Sequence, residues 1–171
     1  KSIEFKIKAV QKGLLTGRFL LKYGSITKEI FVVINAKSED FLFDSSIAVS
    51  DEYKEINIGE KLLAQVNLLQ IRPKEKVDVT ANYVIKDFFG NVYLENSETF
   101  FVLSEKNYIK EFSTSNLAPG RYIVGLELTY PGAFATSSAQ FIVIERKFGL
   151  TRYQWILFVI IVSIIISVGV T

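Results

Sequence analysis

Val77-Asp78-Val79-Thr80-Ala81-Asn82-Tyr83-Val84-Ile85 places apolar side chains at 77, 79, 81, 83 and 85, with mostly polar residues between them. Successive side chains of an extended strand point to opposite faces, so this period of two predicts a half-buried β-strand. The same alternation recurs at Ile3, Phe5, Ile7 and Ala9 and at Ile30, Val32 and Ile34. Turn signals separate the runs: Gly13, Tyr23-Gly24-Ser25, Arg72-Pro73-Lys74, Asp87-Phe88-Phe89-Gly90-Asn91, Ala118-Pro119-Gly120 and Pro131-Gly132. Strands at this spacing, with no long amphipathic helix between them, predict an all-β antiparallel sandwich or barrel. Glu60 to Ile71 is ambiguous in isolation. Leu62, Leu63, Val66 and Leu69 fit a helical stripe, Leu62, Ala64, Val66 and Leu68 fit a strand, and the β-rich surroundings favour the strand.

Composition narrows the chemistry. The 171 residues include no His, Cys or Met. That removes imidazole bases, thiolate nucleophiles, disulfides and the ordinary zinc, haem and iron–sulfur ligand sets. Residues 1–145 carry 17 basic side chains against 18 acidic ones. Nothing there forms the Lys/Arg stripe that phosphate neutralisation requires, so no nucleic-acid partner is expected.

An internal echo sets the expected domain layout. Gly17-Arg18-Phe19, Tyr23-Gly24 and Phe31-Val32-Val33-Ile34 are matched by Gly120-Arg121-Tyr122, Tyr130-Pro131-Gly132 and Phe141-Ile142-Val143-Ile144. Residues 1–36 therefore read as the last strands of an upstream β-sandwich domain, 37–40 as a linker and 41–145 as a second sandwich of seven or eight strands.

Leu117-Ala118-Pro119-Gly120-Arg121-Tyr122 resembles the segment that opens strand F of immunoglobulin-like and fibronectin type III-like domains. The resemblance implies a tyrosine corner, with Leu117, Pro119 and Gly120 shaping the loop and the Tyr122 hydroxyl returning to its backbone. The chain departs from antibody-type domains in lacking the Cys pair and a Trp before residue 155. The wider arrangement of tandem sandwiches and a C-terminal apolar tail resembles archaeal and bacterial cell-surface proteins, which implies a structural or adhesive role.

That tail is the most specific feature. Trp155 to Val170 is uncharged and almost wholly apolar, and residues 146–171 contain three basic residues and no acid. A helix of about 16 residues spans about 24 Å, short of the ~30 Å hydrocarbon core. Residues 153–171 are thus expected to be a truncated transmembrane α-helix, following a basic juxtamembrane segment at 146–152. Tyr153 and Trp155 sit where amphipathic rings prefer headgroups, and Arg146, Lys147 and Arg152 can meet anionic lipid, each contributing about 1 kcal/mol. Ser163 and Ser167 share a helix face near Gly169, a small-residue pattern that permits close helix packing. By analogy with other anchored tandem β-domains, the expected location is the cell membrane, single-pass, with the β-domains extracellular.

Few residues suggest chemistry. Ser25-Ile26-Thr27-Lys28 matches a Ser-x-x-Lys pattern but sits in a tight strand connection without companion motifs. Glu39-Asp40, Asp44 and Asp51-Glu52 offer oxygen ligands, yet no loop has the alternating ligands and central Gly of a calcium site. No cofactor, metal or catalytic residue is expected. Asp87 and Asn91 bracket Phe88 and Phe89 at a hairpin tip, where two exposed rings would make a contact patch for a protein or glycan. The leading expectation is a non-enzymatic, membrane-anchored envelope protein, whose partners are the lipid bilayer and other envelope proteins or glycans. Its rivals are a carbohydrate- or peptide-binding module and the spacer of an upstream enzyme.

Overall fold

A computed structural model describes residues 12–39, 41–71, 75–145, 156, 157, 160 and 161. Ten strands follow one another: β1 (Leu14–Tyr23), β2 (Ile26–Asn35), β3 (Phe43–Ala48), β4 (Glu55–Asn57), β5 (Lys61–Gln70), β6 (Val77–Lys86), β7 (Val92–Val102), β8 (Glu105–Ser113), β9 (Gly120–Tyr130) and β10 (Ala133–Ile144). β3 to β10 form two facing sheets, one ordered β4-β10-β9-β6-β7 and the other β3-β5-β8, while β1 and β2 make a separate hairpin. All pairings are antiparallel except that of β4 with β10.

The alternation explains the sandwich. Val79, Ala81, Tyr83 and Ile85 of β6 are fully buried, as are Val124, Leu126 and Leu128 of β9 in the same sheet. Leu62, Ala64, Val66 and Leu68 of β5 meet them from the opposite sheet. Each Val, Leu or Ile side chain among them contributes roughly 1.5–3 kcal/mol when withdrawn from water. The strand reading of Glu60 to Ile71 is the one realised, because Leu69, part of the rival helical stripe, is 50% exposed. Hydrogen bonds also tie the sheets together. The Leu42 amide donates to Tyr130 Oη at 3.0 Å, and the Ile47 amide donates to Ser137 Oγ at 3.1 Å.

The two echoing hairpins are not in the register their sequences suggest. Gly17 pairs with Val32, whereas Gly120 pairs with Val143. Val32 therefore stands where Val143 does, and Phe31 matches Ile142 instead of Phe141. A one-residue shift moves a side chain to the opposite face of a strand. The alternation expected at Ile30, Val32 and Ile34 picks out the wrong set: Phe31 and Val33 pack on the buried cluster and Ile30 is 41% exposed, because the run from Ile30 to Ile34 is apolar at every position and fits either parity.

The tail expectations fall mostly outside the described residues. Arg146, Lys147, Arg152, Tyr153, Trp155, Ser163, Ser167 and Gly169 all lie there. Ile156, Leu157, Ile160 and Ile161 are helical with exposed side chains. Among the described residues, no helix is long and apolar enough to cross a membrane.

Candidate functional site

The β1–β2 hairpin does not hang free; it is seated on the outer face of the five-stranded sheet. Opposed residues of an antiparallel pair share a face, so Leu14, Arg18, Phe31 and Val33 point one way and Leu15, Phe19, Val32 and Ile34 the other. The first set meets the sheet. Leu14, Val84, Phe88 and Ile123 form a second buried cluster, with Phe31 and Val33 packed against it.

Leu14 is held at three points. Its amide donates to Glu127 Oε1 at 3.0 Å, and its carbonyl accepts from Lys86 Nζ at 3.3 Å. Lys86 and Glu127 lie 3.7 Å apart and are both largely shielded, so the ion pair grips one peptide segment from both sides. The side chain drops over Gly125, where a Cβ would stand 2.4 Å from Leu14 Cδ2 and 3.1 Å from Val84 Cγ2. A glycine inside an otherwise apolar strand marks such a close approach.

The other points of attachment are the β6–β7 turn and the chain leading out of β2. Phe88 is buried with its ring 4.8 Å from that of Phe31, while Phe89 is 65% exposed beneath the Arg18 guanidinium at 4.9 Å. Asp87 organises this turn. Its Oδ1 accepts from the amides of Phe89 and Asn91 at 2.8 and 2.9 Å, and its Oδ2 from Asn91 Nδ2 and Tyr93 Oη at 2.7 and 3.1 Å. Burial opposes ionisation of Asp87, but these hydrogen bonds outweigh it and hold the carboxyl below its ordinary range. In the expected linker, the Ser38 amide donates to the Phe134 carbonyl at 3.0 Å. The Phe134 amide donates to Ser38 Oγ at 2.9 Å, and Thr136 Oγ1 to the Ala36 carbonyl at 2.8 Å. The hairpin is thus fixed at its first residue, in its middle and at its exit.

The remaining singled-out residues are structural in their contacts. The Tyr122 hydroxyl donates to the Ala118 carbonyl at 2.8 Å, the hydrogen bond of a tyrosine corner, and its ring stacks on Phe141 at 5.8 Å. Leu117 is buried beside it, and Gly120 opens β9 with space for the Tyr122 ring. Pro119 is exposed in the loop before β9. Ser25 lies in the exposed β1–β2 turn and Lys28 in β2. Asp44 lies 3.9 Å from Lys37, and Asp51 pairs with Lys54 at 2.5 Å. Glu39 and Glu52 are described as well, and Asp40 is outside the described residues. No group of three metal-ligating side chains occurs among the described residues. Leu14, Lys86, Gly125 and Glu127 are junction residues that the sequence reading did not single out. Gly125 offered a signal, as a lone glycine in a strand.

No family model matches the chain, and no curated protein matches it. Solved structures do. The C-terminal domain of wzt matches with a TM-score of 0.50 at 11% identity, covering 67% of this chain and 82% of that one. The CARDB domain of a Pyrococcus furiosus protein, solved with di-metal ions, gives 0.45 at 10% identity, covering 61% and 94%. A Listeria innocua β-glucosidase solved with glucose gives 0.43 at 14% identity, covering 71% and 19%. At these identities the likeness concerns fold alone, and the fold is an all-β, immunoglobulin-like sandwich.

Proposed function

We propose that the chain is a non-enzymatic, membrane-anchored protein of the cell envelope, its β-region outside the cell and its role structural or adhesive. The observation that carries this reading is the pinned junction. A hairpin grasped at Leu14, Phe31 and Ser38 transmits orientation and load to the sandwich, as a stiff tandem stalk requires and a pair of loosely tethered modules does not. The hairpin's other face carries Leu15, Phe19, Leu21, Ile30, Val32 and Ile34. The apolar run from Trp155 to Val170, entered through three basic residues, supports the anchor.

The binding-module reading asks for a row of exposed rings at 88, 89 and 93. Phe88 is buried in the junction, which breaks the row, while Phe89 stays 65% exposed beneath Arg18 and Tyr93 is 41% exposed and tied to Asp87.

The test is membrane extraction. The full chain should stay with the bilayer through alkaline carbonate washing and dissolve only in detergent. Protease added to intact cells should remove the β-region. Recovery of the intact chain in aqueous buffer would overturn the anchor, and a protease-resistant β-region on intact cells would overturn its placement.

A further inference from the structure

The tip of the β1–β2 hairpin and the close of β10 lie at the same end of the sandwich. Lys86 pairs with Ile123 and Arg121 with Ile142, so the β6–β7 turn, the start of β9 and the last residue of β10, Ile144, are grouped there. In the sheet β6 and β10 are separated by β9 alone, which sets them about 10 Å apart. From Leu14 over Gly125, β1 runs down to Arg18 over the Phe89 ring of the β6–β7 turn. Five more residues lead to Tyr23, so at ~3.4 Å per residue the hairpin projects about 17 Å beyond that turn.

Every residue from Arg18 to Ile30 is exposed. The projecting part is apolar and basic. Tyr23 is 86% exposed and Ile26 67%, Leu20 and Leu21 stand behind them, and Lys22 and Lys28 are the charges between Phe19 and Lys28, a stretch with no acid. Glu29, the one carboxylate of the hairpin, is neutralised by Arg18 at 2.8 Å. Asp51, Glu52, Glu55 and Glu60 gather around β4, at the opposite edge of the sheet from the β6–β7 turn, so the hairpin side of this end is the one suited to an anionic surface. Aliphatic side chains enter the acyl boundary, a Tyr ring prefers headgroup level, and Lys stems lie along apolar surface while their ammonium groups reach phosphate. A two-stranded ribbon has outward backbone groups that still need water, so such a tip settles at headgroup depth and not in the hydrocarbon.

We infer that this tip is a second membrane contact, with Leu20, Leu21, Lys22, Tyr23, Ile26 and Lys28 docking on the anionic bilayer that holds the tail. The inference rests on the anchor reading, because the tail supplies the proximity. The eleven residues from Glu145 to Trp155 span at most about 40 Å, a tether that keeps the tip within reach of the surface. The attachments at Leu14, Phe31 and Ser38 fix the direction in which the hairpin points. Two contacts hold the sandwich at a set angle to the membrane, where one tether alone lets it swing.

The absence of cysteine makes the test direct. Ser25→Cys at the tip and Ser104→Cys in the β7–β8 turn, at the other end of the sandwich, are exposed and nearly isosteric changes, and circular dichroism will confirm that the full-length variants fold. Each carries a polarity-sensitive dye on its thiol and is reconstituted into vesicles of phosphatidylcholine and phosphatidylglycerol doped with nitroxide lipid. The dye at position 25 should be blue-shifted and quenched, and the dye at position 104 neither. Lys22→Gln and Lys28→Gln should each weaken the contact about fivefold at low salt, while flotation with the vesicles stays unchanged. Three results in a chain that floats would overturn the tip contact alone: equal quenching at the two positions, indifference to the lysine variants, or a blue shift at position 25 without quenching, which means that protein covers the tip. A chain that fails to float overturns the anchor reading and the tip contact with it.

Discussion

Gly125→Ala should loosen the β1–β2 hairpin while leaving the sandwich beneath it intact. The added methyl would stand 2.4 Å from Leu14 Cδ2, well inside contact distance, with Val84 Cγ2 at 3.1 Å on its other flank. Leu14 cannot simply slide away, because its amide and carbonyl are held by Glu127 and Lys86 at 3.0 and 3.3 Å. It must leave its rotamer or pull its backbone off the clamp, and overpacking of this kind costs about 1–3 kcal/mol. Leu14→Ala removes the same buried side chain by truncation and should cost about 2 kcal/mol, at the low end for a buried leucine because the cluster around it is small. In the double variant the alanine at 125 projects into the space that Leu14 vacates, so the two losses should fall short of their sum by about 1 kcal/mol or more. The assay is hydrogen exchange of the β1 and β2 amides, which reads local opening, compared with β5 and β9 amides that report on the sandwich. Strictly additive losses, or an unchanged hairpin exchange rate in Gly125→Ala, would refute the notch as the origin of the coupling.

Two further perturbations test the supports of the site. Tyr122→Phe keeps the ring on Phe141 but deletes the bond to the Ala118 carbonyl, and should lower the denaturant midpoint by an amount worth about 0.5–1.5 kcal/mol; an unshifted midpoint would remove the tyrosine corner from the account of stability. Asp87 titrates lower folded than unfolded, so its contribution is present above the ordinary carboxylate range, near pH ~4, and disappears as pH falls through its folded value. Asp87→Asn should therefore lower stability at neutral pH and flatten part of the acid limb of a stability–pH curve, Glu98 supplying another part because its carboxyl is also held low. An acid limb identical to that of the parent chain would contradict the hydrogen-bond count at Asp87.

The sandwich was legible because its strands bury one face each. Val79, Ala81, Tyr83 and Ile85 declare their parity in the sequence, and the same holds for Leu62, Ala64, Val66 and Leu68. Where a strand is apolar on both faces, parity vanishes. In Phe31 to Ile34, Phe31 and Val33 pack on the junction cluster while Val32 and Ile34 lie on the opposite face, and the hairpin register could not be assigned from such a run.

The junction was the least legible part, for a related reason. Its specificity lies in pairs far apart in the chain: Leu14 with Glu127, Phe31 with Phe88, Ser38 with Phe134. None makes a motif, since each residue taken singly belongs to an ordinary strand or turn. Phe88 and Phe89 show the ambiguity most plainly. Two adjacent rings at a turn read equally well as a contact patch, yet one closes over Phe31 and the other lies under Arg18. Phe88 meets the β1–β2 hairpin before it can meet anything else. That ordering has a consequence for any ligand-binding role. A ligand competing for Phe88 would have to displace Phe31 and open the buried cluster around Leu14, so binding there would be coupled to hairpin release.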